Sequence, residues 1–282
     1  MQADTQTIKE RQIMAKINSI KEISKGIFDM VLLAPEVASG AKAGQFVNLY
    51  LNDASKLLPR PISICGFDAA TGTVRLVFRV VGGGTAELSE MSEGDEIKVL
   101  GPLGNGFFEI PEKNALLFGG GIGIPPMLGL AKKLHSEGKK VTAILGYRDS
   151  DNFLADEFKA FADVIIATDD GSVGFHGNVV DAAKSCFGAD ESKKPDQNEV
   201  NATCSDLHIF ACGPLPMLRG VKAFAAEHNA PAQLSMEERM ACGVGACLAC
   251  VCKSSEVDHH SNVKNKRVCK DGPVFMAEDI EL

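Results

Sequence analysis

The sequence contains no tryptophan and only two tyrosines among its 282 residues. A surface for stacking nucleic-acid bases would have to be assembled from phenylalanine alone. Basic clusters are equally scarce: the formal charge is -8, and only Lys264, Lys266 and Arg267 lie close together. Those two facts exclude nucleic acid as a partner. Nowhere do about 18 to 20 apolar residues run together, as a membrane span requires. The opening MQADTQTIKERQIMAKINSI also lacks a secretory apolar stretch. The expectation is a cytoplasmic protein with no membrane association. What the chain does have is nine cysteines, crowded toward one end. In a reducing cytosol such a set argues for metal or redox chemistry rather than a disulfide scaffold.

At 45% hydrophobic and 23% charged residues the composition is globular, and the length suits two domains plus a small third module. From Lys16 to about Leu100, short alternating or apolar runs (Ile27 to Leu33, Gln45 to Leu51, Pro61 to Phe67, Val74 to Val81, Glu96 to Leu100) are separated by Gly, Pro, Asp and Ser. That rhythm predicts a small antiparallel β-barrel or sandwich. One helix is expected at Ala86 to Met91, with Thr85 as its N-cap. After Gly101 to Phe108 the pattern becomes strand, Gly-rich turn, helix, repeated through ALLFGGG, IPPMLGLAKKLHSEG, KVTAILGY, VIIAT, LHIFACG and PLPMLRGVKAFAAEH. Such alternation is the mark of a parallel-sheet α/β domain. The polar stretch Gly188 to Asp206 reads as a surface insert. From Met236 the chain turns Cys-dense and is too short for a core of its own, so something other than burial is expected to hold it. The expected domains are 11–110 (barrel), 111–235 (α/β) and 236–282 (metal-held module).

Cys242, Cys247, Cys250 and Cys269 form C-x4-C-x2-C-x18-C. The first intervals are the plant-type spacing for a [2Fe-2S] cluster, in which one tight loop supplies three thiolates and a later segment the fourth. Gly243 and Gly245 permit the backbone angles such a loop needs, and Ala246 and Ala249 do not obstruct it. A structural zinc site is the alternative, since four thiolates also suit tetrahedral Zn. Zinc sites, however, usually come as two C-x2-C pairs, and one is present here. Cys252 reads as a spare thiol beside the cluster. Cys65, Cys186 and Cys204 receive no role.

Gly119-Gly120-Gly121-Ile122-Gly123-Ile124-Pro125-Pro126 follows an apolar strand and opens a helix, the context of a dinucleotide loop. Gly120, Gly121 and Gly123 are the candidate contacts. The usual third glycine is replaced by Pro126, and no acidic residue stands convincingly about 20 positions on, so a purely structural turn is the competing reading. Two more strand ends, Thr168 to Ser172 and Cys212 to Met217, belong at the same sheet edge, where ligands of such sheets bind. Cys212 reads either as a residue of the reaction site or as a small buried side chain.

In the first domain, Arg60-Pro61-Ile62-Ser63, Val77-Phe78-Arg79 and Gly82-Gly83-Gly84-Thr85 combine an Arg, a Ser hydroxyl and a glycine-flanked Thr at a helix start, a set suited to phosphate. In this order, with the cysteine cluster last, the motifs resemble the ferredoxin reductase superfamily. More narrowly, RPISIC, VFRVVGGGT, FGGGIGIPPM, CGPLPML, MEERMACGVGACLACVC and VCKDGPVF resemble the electron-transfer subunits of type B dihydroorotate dehydrogenases, from about Ala15 to the C-terminus.

That resemblance implies FAD held by Arg60, Pro61, Ile62, Ser63, Val77, Phe78, Arg79, Gly84 and Thr85. It implies a [2Fe-2S] cluster on Cys242, Cys247, Cys250 and Cys269, and NAD as substrate at the Gly119 to Pro126 face with Cys212 as the catalytic-side residue. Electrons would leave dihydroorotate at the FMN of a separate catalytic subunit, pass through [2Fe-2S] and FAD, and reach NAD+ in pyrimidine (UMP) biosynthesis, in a heterotetramer of two of each subunit. The superfamily commonly has an aromatic at the position of Ile62, so here the flavin would pack on aliphatic groups. Two alternatives stand beside this. One is an NAD(P)H-ferredoxin oxidoreductase-type flavoprotein subunit, with Arg148 positioned to meet a 2'-phosphate. The other is a zinc-stabilised binding module without redox chemistry.

Overall fold

Alternation of inward and outward side chains closes the first part of the chain into a six-stranded antiparallel barrel in the computed structural model, which describes residues 11–53, 55–187, 206–257 and 262–282. Its elements are β1 (Arg11–Ser24), β2 (Ile27–Leu33), α1 (Pro35–Ala38), β3 (Phe46–Tyr50), β4 (Arg60–Asp68), β5 (Thr73–Arg79), α2 (Gly83–Ser89) and β6 (Glu96–Leu103). The strands run in the order β1-β2-β5-β4-β3-β6, and β6 pairs back onto β1 from Arg11 opposite Gly101 to Lys16 opposite Glu96. In β5 the two faces serve two cores. Val74, Leu76 and Phe78 point into the barrel, while Val77 packs against the second unit.

The helix here differs from the expectation. It begins at Gly83, behind Gly82 as N-cap, and ends at Ser89. Thr85 is therefore inside the first turn, where its Oγ1 accepts the N–H groups of Val81 (2.9 Å) and Gly82 (3.3 Å). Reaching back in this way satisfies donors that a helix start leaves open.

The second unit comprises β7 (Asn114–Gly120), α3 (Ile124–Ser136), β8 (Lys140–Tyr147), α4 (Ala155–Phe158), β9 (Asp163–Thr168), β10 (Phe175–His176), α5 (Val179–Phe187), β11 (Leu207–Cys212), α6 (Leu215–Glu227) and β12 (Ala232–Ser235). The cysteine-rich segment adds β13 (Val251–Lys253), β14 (Asn265–Arg267) and β15 (Val274–Met276). The sheet order is β10-β9-β8-β7-β11-β12-β15, parallel throughout except where β15 runs antiparallel to β12. Strand order reverses at β7, with β8 on one side and β11 on the other. The Gly-rich loop after β7 and the Cys212-Gly213-Pro214 turn after β11 thus share the switch-point crevice.

The C-terminal segment is not held apart from the hydrophobic core, contrary to expectation. Val268, Phe275 and Ile280 are buried in one cluster with Phe118, Ile209 and Leu234 of the sheet and with Phe46 and Leu103 of the barrel. Its β15 strand completes the sheet edge. The proposed insert at Gly188 to Asp206, with Cys204, lies outside the described residues apart from Asp206. Among the described residues no helix is long and apolar enough to cross a membrane.

Candidate functional site

On the barrel side the site starts from β4. Arg60 opens the strand, and its Nη1 donates to the carbonyls of Leu58 (2.8 Å) and Pro59 (3.3 Å). The first turn of α2 lies directly above it: a Cβ on Gly84 would run into the Arg60 guanidinium. Glycine is required there by close approach. Pro61 and Ser63 stand opposite Asn48 and Phe46 on the outer face of the barrel, whereas Ile62 packs against the barrel core. The side chains of Val77 and Phe78 are buried, and Phe78 stacks on Phe28 at 5.9 Å, so any contact they make with a ligand runs through the backbone. Arg79 ends β5 next to the second unit, its Nη2 standing 3.4 Å from where a Cβ on Gly121 would be. The structure thereby joins the barrel motifs to the Gly-rich loop.

Within that loop the glycines have different work. A Cβ on Gly120 would meet Met217 and Pro214, and one on Gly123 would meet the Cys212 carbonyl. Both positions let the loop pack on the turn after β11. Gly121, at φ +53, is the glycine facing Arg79. Cys212 stands opposite Ser235 in the sheet, and burial pushes its thiol up to about 12, partly offset by a hydrogen bond with Ser235. That shift disfavours the thiolate. Arg148 is exposed just beyond β8.

The third part is the cysteine loop. Gly243, Gly245 and Leu248 take positive φ values of 71, 82 and 58, which fold the backbone around the sulfurs. Val244 and Ala246 donate their N–H groups to Cys242 Sγ at 3.4 and 3.3 Å, Gly245 donates to Cys269 Sγ at 3.1 Å, and Cys269 donates to Cys250 Sγ at 3.4 Å. Cys242 lies near Cys247, and Cys250 near Cys269, close enough for each pair to influence the other's ionisation. Burial opposes ionisation of Cys242, but the N–H donors prevail and bring it down to about 6; burial and the neighbouring Cys250 push Cys269 up to about 12. Thiols this close cannot all ionise unless positive charge sits among them. Among the described residues no group of three or more His, Cys, Asp or Glu side chains is arranged to hold a metal ion. The four cysteines nonetheless carry the spacing and the backbone N–H donors to sulfur that would suit a two-iron cluster.

This loop docks on the barrel. Asn48 Nδ2 donates to the Cys242 carbonyl (3.3 Å), Asn105 N–H to the Gly272 carbonyl (2.7 Å) and Asn105 Nδ2 to the Asp271 carbonyl (2.9 Å). Sequence reasoning passed over both asparagines. The available signal for Asn48 was a lone amide inside the apolar run Phe46–Tyr50.

Comparison with known proteins adds two matching family models. The iron-sulfur cluster binding domain of dihydroorotate dehydrogenase B matches residues 237–281, and the oxidoreductase FAD-binding domain matches residues 14–108. A curated dihydroorotate dehydrogenase B (NAD(+)) electron transfer subunit from Listeria monocytogenes serotype 4a is 41% identical over 276 residues, covering 96% of this chain and 99% of the relative. The subunit of the same description from Fusobacterium nucleatum is 39% identical, covering 93% and 95%. Among solved structures, an NADH-dependent reduced ferredoxin-NADP oxidoreductase superposes with a TM-score of 0.80 at 31% identity, over 95% of this chain and 90% of that one. Phthalate dioxygenase reductase, with a TM-score of 0.55 at 20% identity over 92% and 94%, shares the fold.

Proposed function

The chain belongs to the family of electron-transfer subunits of dihydroorotate dehydrogenase B, and from that membership we propose how its residues serve the role. It is an oxidoreductase subunit that uses FAD and an iron-sulfur cluster to move electrons between a catalytic partner and NAD. We assign the cluster to Cys242, Cys247, Cys250 and Cys269, and FAD to Arg60 through Ser63, the backbone of Val77 and Phe78, Arg79, Gly84 and Thr85. The observation carrying this reading is the docking of the thiol loop, through Asn48 and Cys242, onto the strand that pairs with Arg60-Pro61-Ile62-Ser63.

When bound, FAD exchanges electron pairs with nicotinamide and single electrons with a cluster. The remaining chemistry is positional. Arg60 presents a guanidinium for charge-assisted contact with phosphate, and Gly84 leaves room for that side chain. The Thr85 hydroxyl fixes the turn at Val81 and Gly82. At the switch point, Gly120, Gly121, Gly123 and Cys212 shape the nicotinamide side, where the Cys212 thiol presents a small group. Backbone N–H groups aimed at Cys242, Cys250 and Cys269 hold the sulfurs in place and favour their charged form. Dihydroorotate oxidation is assigned to an FMN-containing partner, in a cytoplasmic assembly of two copies of each subunit.

Co-purification tests this. The affinity-purified chain should bring down an FMN-containing protein, and the pair should reduce NAD+ when given dihydroorotate. A second reading, an NAD(P)H-ferredoxin oxidoreductase-type subunit, draws on the 31%-identical solved structure. A complex that reduces ferredoxin but ignores dihydroorotate would favour it.

A further inference from the structure

Asn48 occupies a position unlike any other polar residue in the described structure. It is wholly buried, at 0% exposure, and its Oδ1 is the only buried side-chain nitrogen or oxygen among the described residues without a hydrogen-bond partner. Val47 and Leu49 on either side point into the barrel core, so Asn48 faces outward, toward the cysteine loop. There its Nδ2 donates to the Cys242 carbonyl at 3.3 Å. Gly243 packs on the same amide so closely that a Cβ would strike it. Rotating the amide to satisfy Oδ1 would set two oxygens face to face at Cys242, which fixes the NH2 where it is. Across the barrel sheet Asn48 stands opposite Pro61, next to Arg60 and Ile62. One side chain thus touches the residue carrying the first cluster thiol and sits on the strand beside the residues assigned to the flavin.

A buried carboxamide with one unmet end is costly, and a leucine of similar size would fill the same space without that cost. We propose that Asn48 is a positioning residue for electron transfer: it sets the register of the cluster loop on the flavin strand through its contact with Cys242. The inference rests on the cofactor assignment given above. Groups in this outer position typically change metal-site properties by roughly 10 to 100-fold when removed.

The test uses Asn48→Leu in the full chain, reconstituted with flavin and cluster. Flavin content and the rate at which NADH bleaches the flavin should match the unaltered protein, and the thermal midpoint should be equal or higher. The electron paramagnetic resonance spectrum and midpoint potential of the reduced cluster should be displaced. Flavin-to-cluster transfer, followed by rapid mixing, should slow by roughly tenfold. An unchanged spectrum, potential and transfer rate would overturn the proposal. If the leucine variant fails to load flavin, Asn48→Asp decides, because it keeps the shape but puts an acceptor where Cys242 needs a donor. A displaced or missing cluster signal with flavin retained supports the assignment, and an unaltered signal overturns it. Failure of the underlying cofactor reading is recognisable separately, since the unaltered protein would then show neither a flavin nor a cluster spectrum.

Discussion

Cys247 and Gly84 separate the two electron carriers at the level of single atoms. Cys247 is exposed, so replacing it removes a proposed cluster ligand without opening the core. Cys247→Ser should lose the iron-sulfur absorbance while keeping bound FAD and NADH-driven reduction of artificial dyes, which take electrons from the flavin directly. Loss of both activities in a folded, flavin-loaded variant would contradict this division. Gly84→Ala should do the opposite. The new methyl group would occupy the space of the Arg60 guanidinium and displace a charge-assisted contact of about 1.5 to 3 kcal/mol, weakening FAD retention by roughly 10 to 100-fold. Flavin released on dilution and gel filtration measures it, and cluster content should stay at the level of the unaltered protein.

Between elements, one charge network links the barrel to the second unit across their shared apolar cores. Arg75 on β5 donates to Asp29 of β2 (3.0 and 2.8 Å) and to Glu157 of α4 (2.7 and 2.8 Å), linking two barrel strands to the second unit. The partners are unequal: the Asp29 side chain is 5% exposed and that of Glu157 43%. Arg75→Met strands the Asp29 carboxylate and should cost about 3 kcal/mol, the low end for a broken buried pair. Glu157→Gln should cost less than about 1 kcal/mol, as exposed pairs do. Urea midpoints with a common slope would measure both, and equal losses would refute the ranking. None of this network was legible in the sequence, because its members are 46 and 82 residues apart. What was legible followed local rules. Alternation gave most barrel strands, and the Gly-rich turn after β7 gave a helix start. What was missed needed distant partners: β1 from Arg11, with its register shift between Ile17 and Ser19, the two-residue β10, and β15 on the sheet edge. At the site, the cysteine spacing announced itself, while Asn48 gained meaning only when Cys242 came to rest against it.

At the scale of the whole molecule, the cysteine segment is both a prospective electron carrier and a structural part of the sheet. Gln233 to Ser235 pair with Val274 to Met276, and Asn105 of the barrel binds Asp271 and Gly272. Phe46, Leu103, Phe118, Leu234, Val268 and Phe275 share one core drawn from all three regions. A segment anchored this way cannot melt alone without uncovering apolar surface on both neighbours, so opening it is coupled to opening the rest. Cluster binding should therefore stabilise the entire chain and not just its last part. The expected result is a single calorimetric transition for the loaded protein, and one transition at lower temperature after anaerobic removal of iron with a chelator and reductant. Flavin release should coincide with each transition. Two resolved transitions, the higher unaffected by iron removal and retaining flavin, would show instead that the cysteine segment is an independent appendage. Truncation after Ser235 gives a second handle on the same coupling: it exposes the edge of β12 and the faces of Phe118 and Leu234, and should yield an aggregating chain where Cys247→Ser yields a folded flavoprotein.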